Sequence, residues 1–314
     1  PKLIQTMPVI YNTQHTSDAL RRAKSSVLYP IVDRLSKQEL SRWQSEEAFG
    51  YGLDTVVPID SLGVNVVFIP KGRYFFGDSV GFGSTDELPV IDAMIDSGFG
   101  VMEHEVSYGL WRRCARAGRC SGGAAEGDGD DKMTLPVVNV SLQQIQQQFI
   151  PWMQDITGVG WKLPNEVLWE YFARGGSNEN YPWGEQVSRE ASNYGARVCC
   201  SYKTLGADKW LYAAPVGSFP ANAWGVKDVI GNVSEWTSSC YQTPLSVKVV
   251  DRCDDGQYVT RGGSWYHAPK DLRVSNRSPY LADTKLIYLG FRLIVSLGAL
   301  QALTGVDQPQ PQME

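Results

Sequence analysis

The N-terminal part of the chain carries apolar residues at helical spacing. Within residues 17–28, one face of a helix would collect four of them: Leu20, Ala23, Val27 and Leu28. Residues 36–49 open with Ser36, and Glu39 follows three positions later. A serine at the N-cap with a glutamate at the third helical position forms a capping box, which begins a helix. The pattern therefore predicts two helices, over 17–28 and 36–49.

From Val64 onwards, short apolar runs replace the helical spacing. The run "VNVVFIPKGRYFFGD" consists of two β-rich segments broken by Pro-Lys-Gly, a pattern typical of a hairpin. A helix is predicted between Ser107 and Gly118, because a capping serine opens this segment and a glycine closes it.

Two further helices are predicted in the middle of the chain. Ser141 and Gln144 form a second capping pair, and apolar residues then recur at helical spacing: Leu142, Ile145 and Phe149. Pro151 should kink or divide this helix, since proline lacks the backbone N–H that a helix interior needs. The string "LPNEVLWEYFARGG" predicts a shorter helix that ends at glycine.

After Gly176 the regular patterning thins out, and glycine, proline, asparagine, aspartate and aromatic residues dominate. Loops of this length are uncommon in a compact domain unless they are functional or disordered. The ten tryptophans and fifteen tyrosines of the chain argue against disorder. We therefore expect ordered, irregular loops in the C-terminal half that something must fasten.

Composition narrows the possible functions. The formal net charge is −5, and lysine and arginine are scattered along the chain, which argues against a nucleic-acid partner. No run approaches the roughly 18 apolar residues of a membrane-spanning helix. The chain begins at a proline rather than a methionine, as we expect of a mature or trimmed protein.

The six cysteines are not spaced as zinc-binding CxxC pairs. "CARAGRC" places Cys114 and Cys120 at the ends of a small loop, and Cys240 and Cys253 end a longer one. These loops predict disulfides, and hence a periplasmic, extracellular or cell-surface location; the alternative is buried free thiols in a cytosolic protein. The adjacent pair Cys199–Cys200 fits neither picture, because adjacent cysteines bridge each other only with strain.

Five strings occur in the order and rough spacing of a known domain: "PVVNVS", "KLPNEVLWEYFARGG", "APVGSFPANAWGVKDVIGNVSEWT", "RGGSW" and "LGFR". Together they make residues 61–297 resemble the formylglycine-generating-enzyme-like (sulfatase-modifying-factor) domain. The resemblance implies an α+β fold, a variant of the C-type lectin fold with little regular secondary structure. Residues 1–60 would then be a helical N-terminal extension, and 298–314 a C-terminal tail.

The resemblance also implies two structural calcium sites, which would fasten the irregular loops. The ligands of the first lie in "DVIGNVSEW": Asp228, Gly231, Val233 and Glu235. Those of the second are Asn193, Tyr194, Asp208 and Trp210. Carboxylate and carbonyl oxygens are the ligands that calcium prefers. The alternative is that all of these are ordinary turn residues.

The copper-using members of the family carry two catalytic cysteines, whose positions correspond here to His267 and Leu272. No cysteine stands between residues 254 and 314, and tight copper(I) binding needs thiolates. We therefore expect no formylglycine generation by that mechanism. His267 could still act as a general base, with Asp271 as its orienting partner; the alternative is a histidine on a binding rim.

A glycine-rich turn leads into the residues that we predict to bind a ligand: Trp265, Tyr266, His267, Ala268, Asp271, Arg273, Arg277 and Tyr288. Arg273 and Arg277 could face an acidic ligand, or they could anchor loops through ion pairs. For Trp265 a core position is favoured. The stretch also resembles the variable region of diversity-generating-retroelement display proteins, in which the diversified positions would be Tyr266, His267, Ala268, Asp271 and Tyr288.

Three functions follow from these features. We favour a non-catalytic, extracytoplasmic binding or accessory protein that holds a protein, peptide or glycan, since a rigid scaffold with long loops suits recognition. One alternative is a periplasmic oxidoreductase that resembles siderophore-maturation enzymes and uses His267, Asp271 or a tyrosine as base. The other is a partner-neutralising or regulatory protein of a secretion system, which would contact its partner through the N-terminal helices.

Overall fold

A computed structural model describes most of the chain: residues 7, 10–12 (backbone only), 29–127, 131–195, 206–247, 253 and 255–305. The helix predicted over 17–28 and the pair Cys199–Cys200 lie outside these residues. The helices are α1 (Lys37–Gly50), α2 (Tyr108–Arg116), α3 (Leu142–Gln144), α4 (Ile150–Thr157), α5 (Glu166–Arg174) and α6 (Leu297–Thr304). Within the described ranges, none is long and apolar enough to cross a membrane.

Twelve short strands form three sheets in the described part of the chain. The strands are β1 (Ile10–Asn12), β2 (Val56–Ile59), β3 (Val64–Ile69), β4 (Gly72–Phe76), β5 (Ile91–Ile95), β6 (Phe99–Met102), β7 (Trp161–Lys162), β8 (Ser234–Cys240), β9 (Gln257–Arg261), β10 (Arg277–Leu281), β11 (Leu289–Gly290) and β12 (Ile294–Ser296).

The largest sheet has the antiparallel order β2–β3–β6–β12–β7. It divides two hydrophobic cores, because successive side chains of a strand point to opposite faces. Val66 and Phe68 of β3 belong to one core, whereas Val67 and Ile69 belong to the other. Since β12 comes from the far end of the chain, this sheet joins the N-terminal and C-terminal parts of the domain.

The hairpin predicted across Pro70–Gly72 is wrong. Both segments are strands, but β3 pairs with β2 and β6, whereas β4 pairs with β5 in a second sheet of order β1–β5–β4. The carbonyl of Pro70 accepts a hydrogen bond from the Tyr171 hydroxyl of α5 at 3.1 Å. This connection therefore carries the chain from one sheet to the next instead of folding it back.

The third sheet, of order β10–β9–β8–β11, carries the C-terminal half. Strands β8, β9 and β10 are antiparallel, and β11 runs parallel to β8. No helix or strand is assigned to the described residues between the end of α5 and the start of β8, in agreement with the loss of patterning after Gly176. Gly175, which ends α5, has a left-handed φ of 54°.

Helix α1 begins at the predicted capping box and packs directly on the main domain. Leu40 and Ala48 are buried. Gln44 lies between them, and its Nε2 donates to the carbonyls of Phe68 at 2.7 Å and Trp224 at 2.9 Å. Strand β1 pairs with β5 and β2 pairs with β3, so residues 1–60 include two strands as well as a helix and contact the domain that follows.

Pro151 divides its helix as predicted. A π-helical segment, Ile145–Phe149, separates α3 from α4, and Pro151 lies in the first turn of α4. The wider π-helical turn accommodates the residue that cannot donate to the preceding turn. The buried side chains of Ile145, Phe149 and Met153 still face one core, so the helix keeps its apolar face through the interruption.

Both predicted disulfides are present. Cys114–Cys120 joins the end of α2 to the loop that follows it, and Cys240–Cys253 ties the end of β8 to the segment before β9. At the C-terminal end, α6 covers the largest sheet with the buried residues Ala299 and Leu300, so the first part of the predicted tail is packed on the domain.

Candidate functional site

An exposed group of aromatic rings lies where the sequence predicted a ligand site. We call Tyr266, His267 and Tyr288 the aromatic patch. The rings of Tyr266 and Tyr288 are stacked, with centroids 5.0 Å apart and an interplanar angle of 3°. The His267 ring meets Tyr288 edge to face at 5.2 Å. Tyr266 is 42% exposed and Tyr288 is half-buried, so the stacked pair is open to solvent mainly through Tyr266.

A glycine turn places the aromatic patch. Gly262 and Gly263 have φ values of 86° and 65°, which favour glycine, and a Cβ on Gly263 would lie 2.5 Å from the side chain of Leu272. Trp265 is 1% exposed and meets the Tyr212 ring edge to face at 5.0 Å. The core position favoured for Trp265 is therefore observed, and this indole supports the patch from below.

His267 is half-buried and fixed by one side-chain contact. Its Nδ1 lies 2.7 Å from the Ser264 Oγ, and the same Oγ accepts a hydrogen bond from the Tyr266 backbone N–H at 3.2 Å. Burial lowers the pKa of His267, and the nearby Asp271 only partly opposes this effect. The imidazole is therefore neutral at neutral pH, and its other nitrogen, Nε2, is left for a ligand.

The two positions that the family resemblance assigns to the cysteine pair differ sharply in environment. His267 belongs to the aromatic patch, whereas Leu272 is completely buried and packs against the Gly262–Gly263 turn. Ala268 precedes the short 3₁₀ helix Pro269–Leu272, and the backbone N–H of Asp271 donates to the Ala268 carbonyl at 2.9 Å. This helix holds Asp271 close to His267.

Arg273 and Arg277 do not face a ligand surface, because each is buried in an ion pair. Arg273 donates two hydrogen bonds to Glu87, at 2.7 and 2.6 Å. Arg277 donates two to Glu166, at 2.7 and 2.6 Å. Both arginines therefore anchor loops through ion pairs, which is the alternative given for them in the sequence analysis. Neither arginine supplies positive charge to the aromatic patch.

The predicted calcium ligands Asn193 and Asp208 come together and share an unusual property. Both are completely buried, and the Oδ1 atom of each has no hydrogen-bond partner among the described residues. The Asn193 amide nitrogen donates to the Tyr212 carbonyl at 2.6 Å, and Arg189 pairs with the other carboxylate oxygen of Asp208. Buried oxygen acceptors without donors are costly, and a cation would satisfy both.

Tyr194 and Trp210, the other two residues predicted at this site, flank these ligands. The Tyr194 backbone N–H lies 3.4 Å from Asp208 Oδ2, and Trp210 is two residues further along the chain. Their side chains pack against other residues, Tyr194 against Arg189 and Trp210 against Phe219, which leaves their backbone carbonyls as the candidate ligands. The set of one carboxylate, one amide and carbonyl oxygens fits calcium.

The predicted ligands around Asp228 have a different environment. Asp228 accepts backbone hydrogen bonds from Gly217 and from Phe219, the latter at 3.2 Å. Glu235 is paired with Arg292. Gly231 and Asn232 adopt left-handed φ values of 81° and 51°, and Val233 is buried. The Gly231–Asn232 step is therefore a tight turn, but the two carboxylates on either side of it already have donors.

Sequence reasoning missed several buried polar residues beside these sites. Glu105 is completely buried: its Oε1 accepts from the Asn232 side chain at 3.0 Å, and its Oε2 has no partner in the described residues. Burial and the neighbouring Asp228 raise its pKa well above the usual range. Glu105 is the second of two glutamates in "MEHEVS", and nothing in that string marks it as buried; nothing in the sequence marks Tyr212 as the support of Trp265 either.

A separate cavity of about 240 Å³ lies away from the aromatic patch. It is lined by residues of α1 and of two loops: Lys37, Pro182, Trp183, Ala191, Pro220, Ala221, Asn222, Ala223, Asp228 and Val229. Nowhere in the part of the chain that the structure describes are three His, Cys, Asp or Glu side chains grouped as metal ligands. The Asn193–Asp208 pair, with its single carboxylate, is consistent with that finding.

The chain is similar in sequence to several characterised proteins. The formylglycine-generating enzyme of Mycobacterium tuberculosis is 37% identical over 154 residues, which cover 43% of this chain and 51% of that protein. The inactive C-alpha-formylglycine-generating enzyme 2 of Bos taurus is 32% identical over 176 residues, 54% of this chain and 52% of that protein. The chain thus spans about half the length of these curated relatives.

Solved structures show the same fold. PvdO from Pseudomonas aeruginosa superposes with a TM-score of 0.65 and 25% identity, covering 77% of this chain and 98% of PvdO. The Treponema denticola variable protein 1 gives a TM-score of 0.60 at 16% identity, with the same coverage. The α+β fold is the predicted formylglycine-generating-enzyme-like variant of the C-type lectin fold. The model of the sulfatase-modifying factor enzyme 1-like domain matches residues 58–297, and the chain belongs to that family.

Proposed function

We propose that this chain is a non-catalytic binding protein that works outside the cytoplasm and holds its ligand on the aromatic patch. The observation that carries the proposal is the stacked Tyr266–Tyr288 pair, which lies beside His267, one of the two positions where the family resemblance puts the reactive cysteines. Tyrosine supplies a large, rigid contact area at low entropic cost, which suits recognition. The buried Leu272 supplies no reactive group there.

The chemistry of the aromatic patch favours an uncharged ligand. Arg273 and Arg277 are withdrawn into ion pairs, and the lowered pKa of His267 leaves its ring neutral. What remains is two tyrosine rings, the Tyr266 hydroxyl and one imidazole nitrogen, since the Tyr288 hydroxyl is hydrogen-bonded to Tyr280. Such a surface suits the apolar face of a sugar ring or an aromatic side chain of a peptide, with hydrogen bonds at its rim.

The extracytoplasmic location rests on the two disulfides, since disulfides persist in oxidising compartments. The aromatic patch is also the region that resembles a diversified display surface. Its side chains stand on a buried support made of Trp265 and Tyr212, so substitutions at the exposed positions would leave the scaffold in place.

We propose further that a calcium ion binds at Asn193 and Asp208, with the Tyr194 and Trp210 carbonyls. The two partnerless buried oxygens, Asn193 Oδ1 and Asp208 Oδ1, support this assignment. The ion would supply positive charge to a segment without regular secondary structure. Because Asn193 also donates to the Tyr212 carbonyl, calcium would stiffen the support of the aromatic patch.

The binding function is tested by screening immobilised glycans and a peptide library with the full chain. We expect every ligand captured by the wild type to be lost in Tyr266→Ala, which removes one ring of the stack. Phe49→Ala is the matched control, because Phe49 is an aromatic residue that is 85% exposed on α1, and it should bind as the wild type does. Binding that persists in both Tyr266→Ala and Tyr288→Ala would place the ligand elsewhere.

One observation favours an enzyme as the second candidate: the 2.7 Å contact between His267 and Ser264, which orients the imidazole as a base requires. An enzyme would show turnover of a bound substrate that His267→Ala abolishes while binding is kept. The binding function predicts the reverse, namely that His267→Ala weakens capture of the ligand and that no turnover accompanies binding.

A further inference from the structure

The Arg292 guanidinium lies against the loop around Asp228 and donates hydrogen bonds to it. The acidic residues of this loop leave no carboxylate oxygen without a donor. Asp228 accepts from the backbone N–H groups of Gly217 and Phe219. In Glu235, Oε2 accepts from the Trp169 indole at 2.8 Å, and both oxygens accept from Arg292 Nε at 2.9 Å. We infer that the Arg292 guanidinium takes the place of a calcium ion in this loop, and that the loop binds no calcium.

The oxygens around Arg292 resemble the ligand set of a calcium ion. Besides the Glu235 carboxylate, the guanidinium donates to four backbone carbonyls, at distances of 3.0 to 3.4 Å: those of Met102, Glu103, Lys227 and Asp228. Calcium takes carboxylates and carbonyls in the same way. The five N–H groups of an arginine form a fixed fork that satisfies several oxygens at once, so one side chain closes the loop.

Arg292 also excludes a second cation. The side chain is completely buried, and a guanidinium keeps its charge at any pH a protein survives. Because Arg292 Nε donates to both oxygens of Glu235, a divalent ion could reach that carboxylate only against the guanidinium, and the two charges would repel strongly where water is excluded. Moving Arg292 aside would leave its charge buried without a partner, which is more costly than the original pair.

Glu105, a further buried acid near Asp228, does not provide enough ligands for a calcium site. Glu105 has one oxygen without a partner, and its other oxygen accepts from Asn232. A single oxygen falls far short of the six to eight that calcium takes. The contrast with Asn193 and Asp208 is direct, since there Arg189 engages only one oxygen of Asp208 and two buried acceptors face no donor.

The experiment counts calcium ions on the full chain. After treatment with a chelator and its removal, the wild type is titrated with calcium chloride in a calorimeter, and bound calcium is measured by elemental analysis after dialysis. We expect one ion per chain. Asp208→Asn, which removes the only negative charge of the Asn193 site, should bind none, and the same substitution at the other loop, Asp228→Asn, should still bind one. Two ions on the wild type, or one ion lost only in Asp228→Asn, would overturn the inference.

The experiment distinguishes this inference from the calcium proposal at Asn193, because each can be contradicted without the other. A wild type that binds no calcium would contradict the Asn193 site while agreeing with a calcium-free Asp228 loop. Thermal unfolding gives a second readout that needs no activity: calcium should raise the melting temperature of Asp228→Asn as it does that of the wild type. A calcium shift that survives in Asp208→Asn but disappears in Asp228→Asn would reverse the assignment of the two loops.

Discussion

Single arginine side chains connect loops that are far apart in the chain. Arg273 reaches Glu87, 186 positions away, and Arg277 reaches Glu166, 111 positions away. The spacing of four residues suggested that the two arginines lie near each other, but it could not identify the carboxylates, far away in the sequence, with which they pair. Their role as anchors could therefore be stated only as an alternative. The calcium pair Asn193 and Asp208 came from the family resemblance, and its partnerless oxygens are visible only in three dimensions.

Removing Arg273 should destabilise the protein strongly. In Arg273→Met the Glu87 carboxylate, 1% exposed, would stay buried without its partner, and breaking such a pair costs about 3–5 kcal/mol. Urea denaturation followed by circular dichroism measures the loss. Arg119→Met is the control: its pair with Asp155 is about half exposed, and surface pairs contribute at most about 1 kcal/mol. Equal losses in the two variants would contradict the anchor role.

Asp33 should make stability depend on pH. Burial raises the pKa of Asp33 to about 7, with Arg174 and the Phe75 N–H only partly opposing it. The folded state thus holds a proton that the unfolded state, with a pKa near 4, gives up. The contribution of Asp33 is full below about pH 4 and is lost as the pH rises to about 7.

The variant Asp33→Asn isolates this contribution. We expect the free energy of unfolding of the wild type to fall relative to Asp33→Asn between pH 4 and 7, by a few kcal/mol. Denaturation curves at several pH values measure the difference. Parallel pH profiles for the two proteins would show that Asp33 is ionised in the folded state.

Elements whose signals are local were predicted well. Helices α1, α2, α3 and α5 begin at the serine or asparagine that caps them, because a cap acts within one turn. The hairpin failed because strand pairing is decided by distant partners: β3 and β4 are neighbours in the chain, but each found its partners in a different sheet. The path of α1 across the domain was also not predictable, since it depends on Gln44 and on two carbonyls far along the chain.

Gln44 should fasten α1 to the domain. Gln44→Met keeps the shape of the side chain but leaves the Phe68 and Trp224 carbonyls without their donor, a loss of about 1–3 kcal/mol. Gln38→Met is the matched control, because Gln38 lies exposed on the same helix and the same substitution there should change little. Hydrogen exchange of α1 amides, faster only in Gln44→Met, would report the loosened helix. Unchanged exchange in Gln44→Met would mean that apolar packing alone holds α1.

At the scale of the whole molecule, the fold was predicted from the family resemblance. Composition and patterning alone predicted a mixed protein with long irregular loops. The order of motifs such as "GNVSEW" and "GFR" identified the domain that the comparison then matched to residues 58–297. Neither the patterning nor the motifs could predict how the side chains are placed at the site. The aromatic patch depends on stacking between Tyr266 and Tyr288, which come from different loops.

The two disulfides should contribute to global stability. Cys240–Cys253 closes a loop over a sequence separation of 13 and Cys114–Cys120 over one of 6. Cross-links that limit the unfolded chain stabilise by about 2–4 kcal/mol each, and more for longer loops. The double substitutions Cys240→Ser/Cys253→Ser and Cys114→Ser/Cys120→Ser should both lower the melting temperature, the first by more. Equal melting temperatures of both variants and the wild type would show that neither cross-link matters to folding.

Strand β1 forms one edge of the sheet β1–β5–β4, and this matters for the choice of residues in a recombinant protein. Strand β5 lies between β4 and β1, and β1 comes from residues far upstream of the family-matched span. A recombinant fragment trimmed to 58–297 would strip β1 away and leave one side of β5 with unsatisfied backbone groups, a template onto which another chain can add a strand. We expect such a fragment to self-associate on gel filtration, whereas the full chain shields that side with its own leading residues.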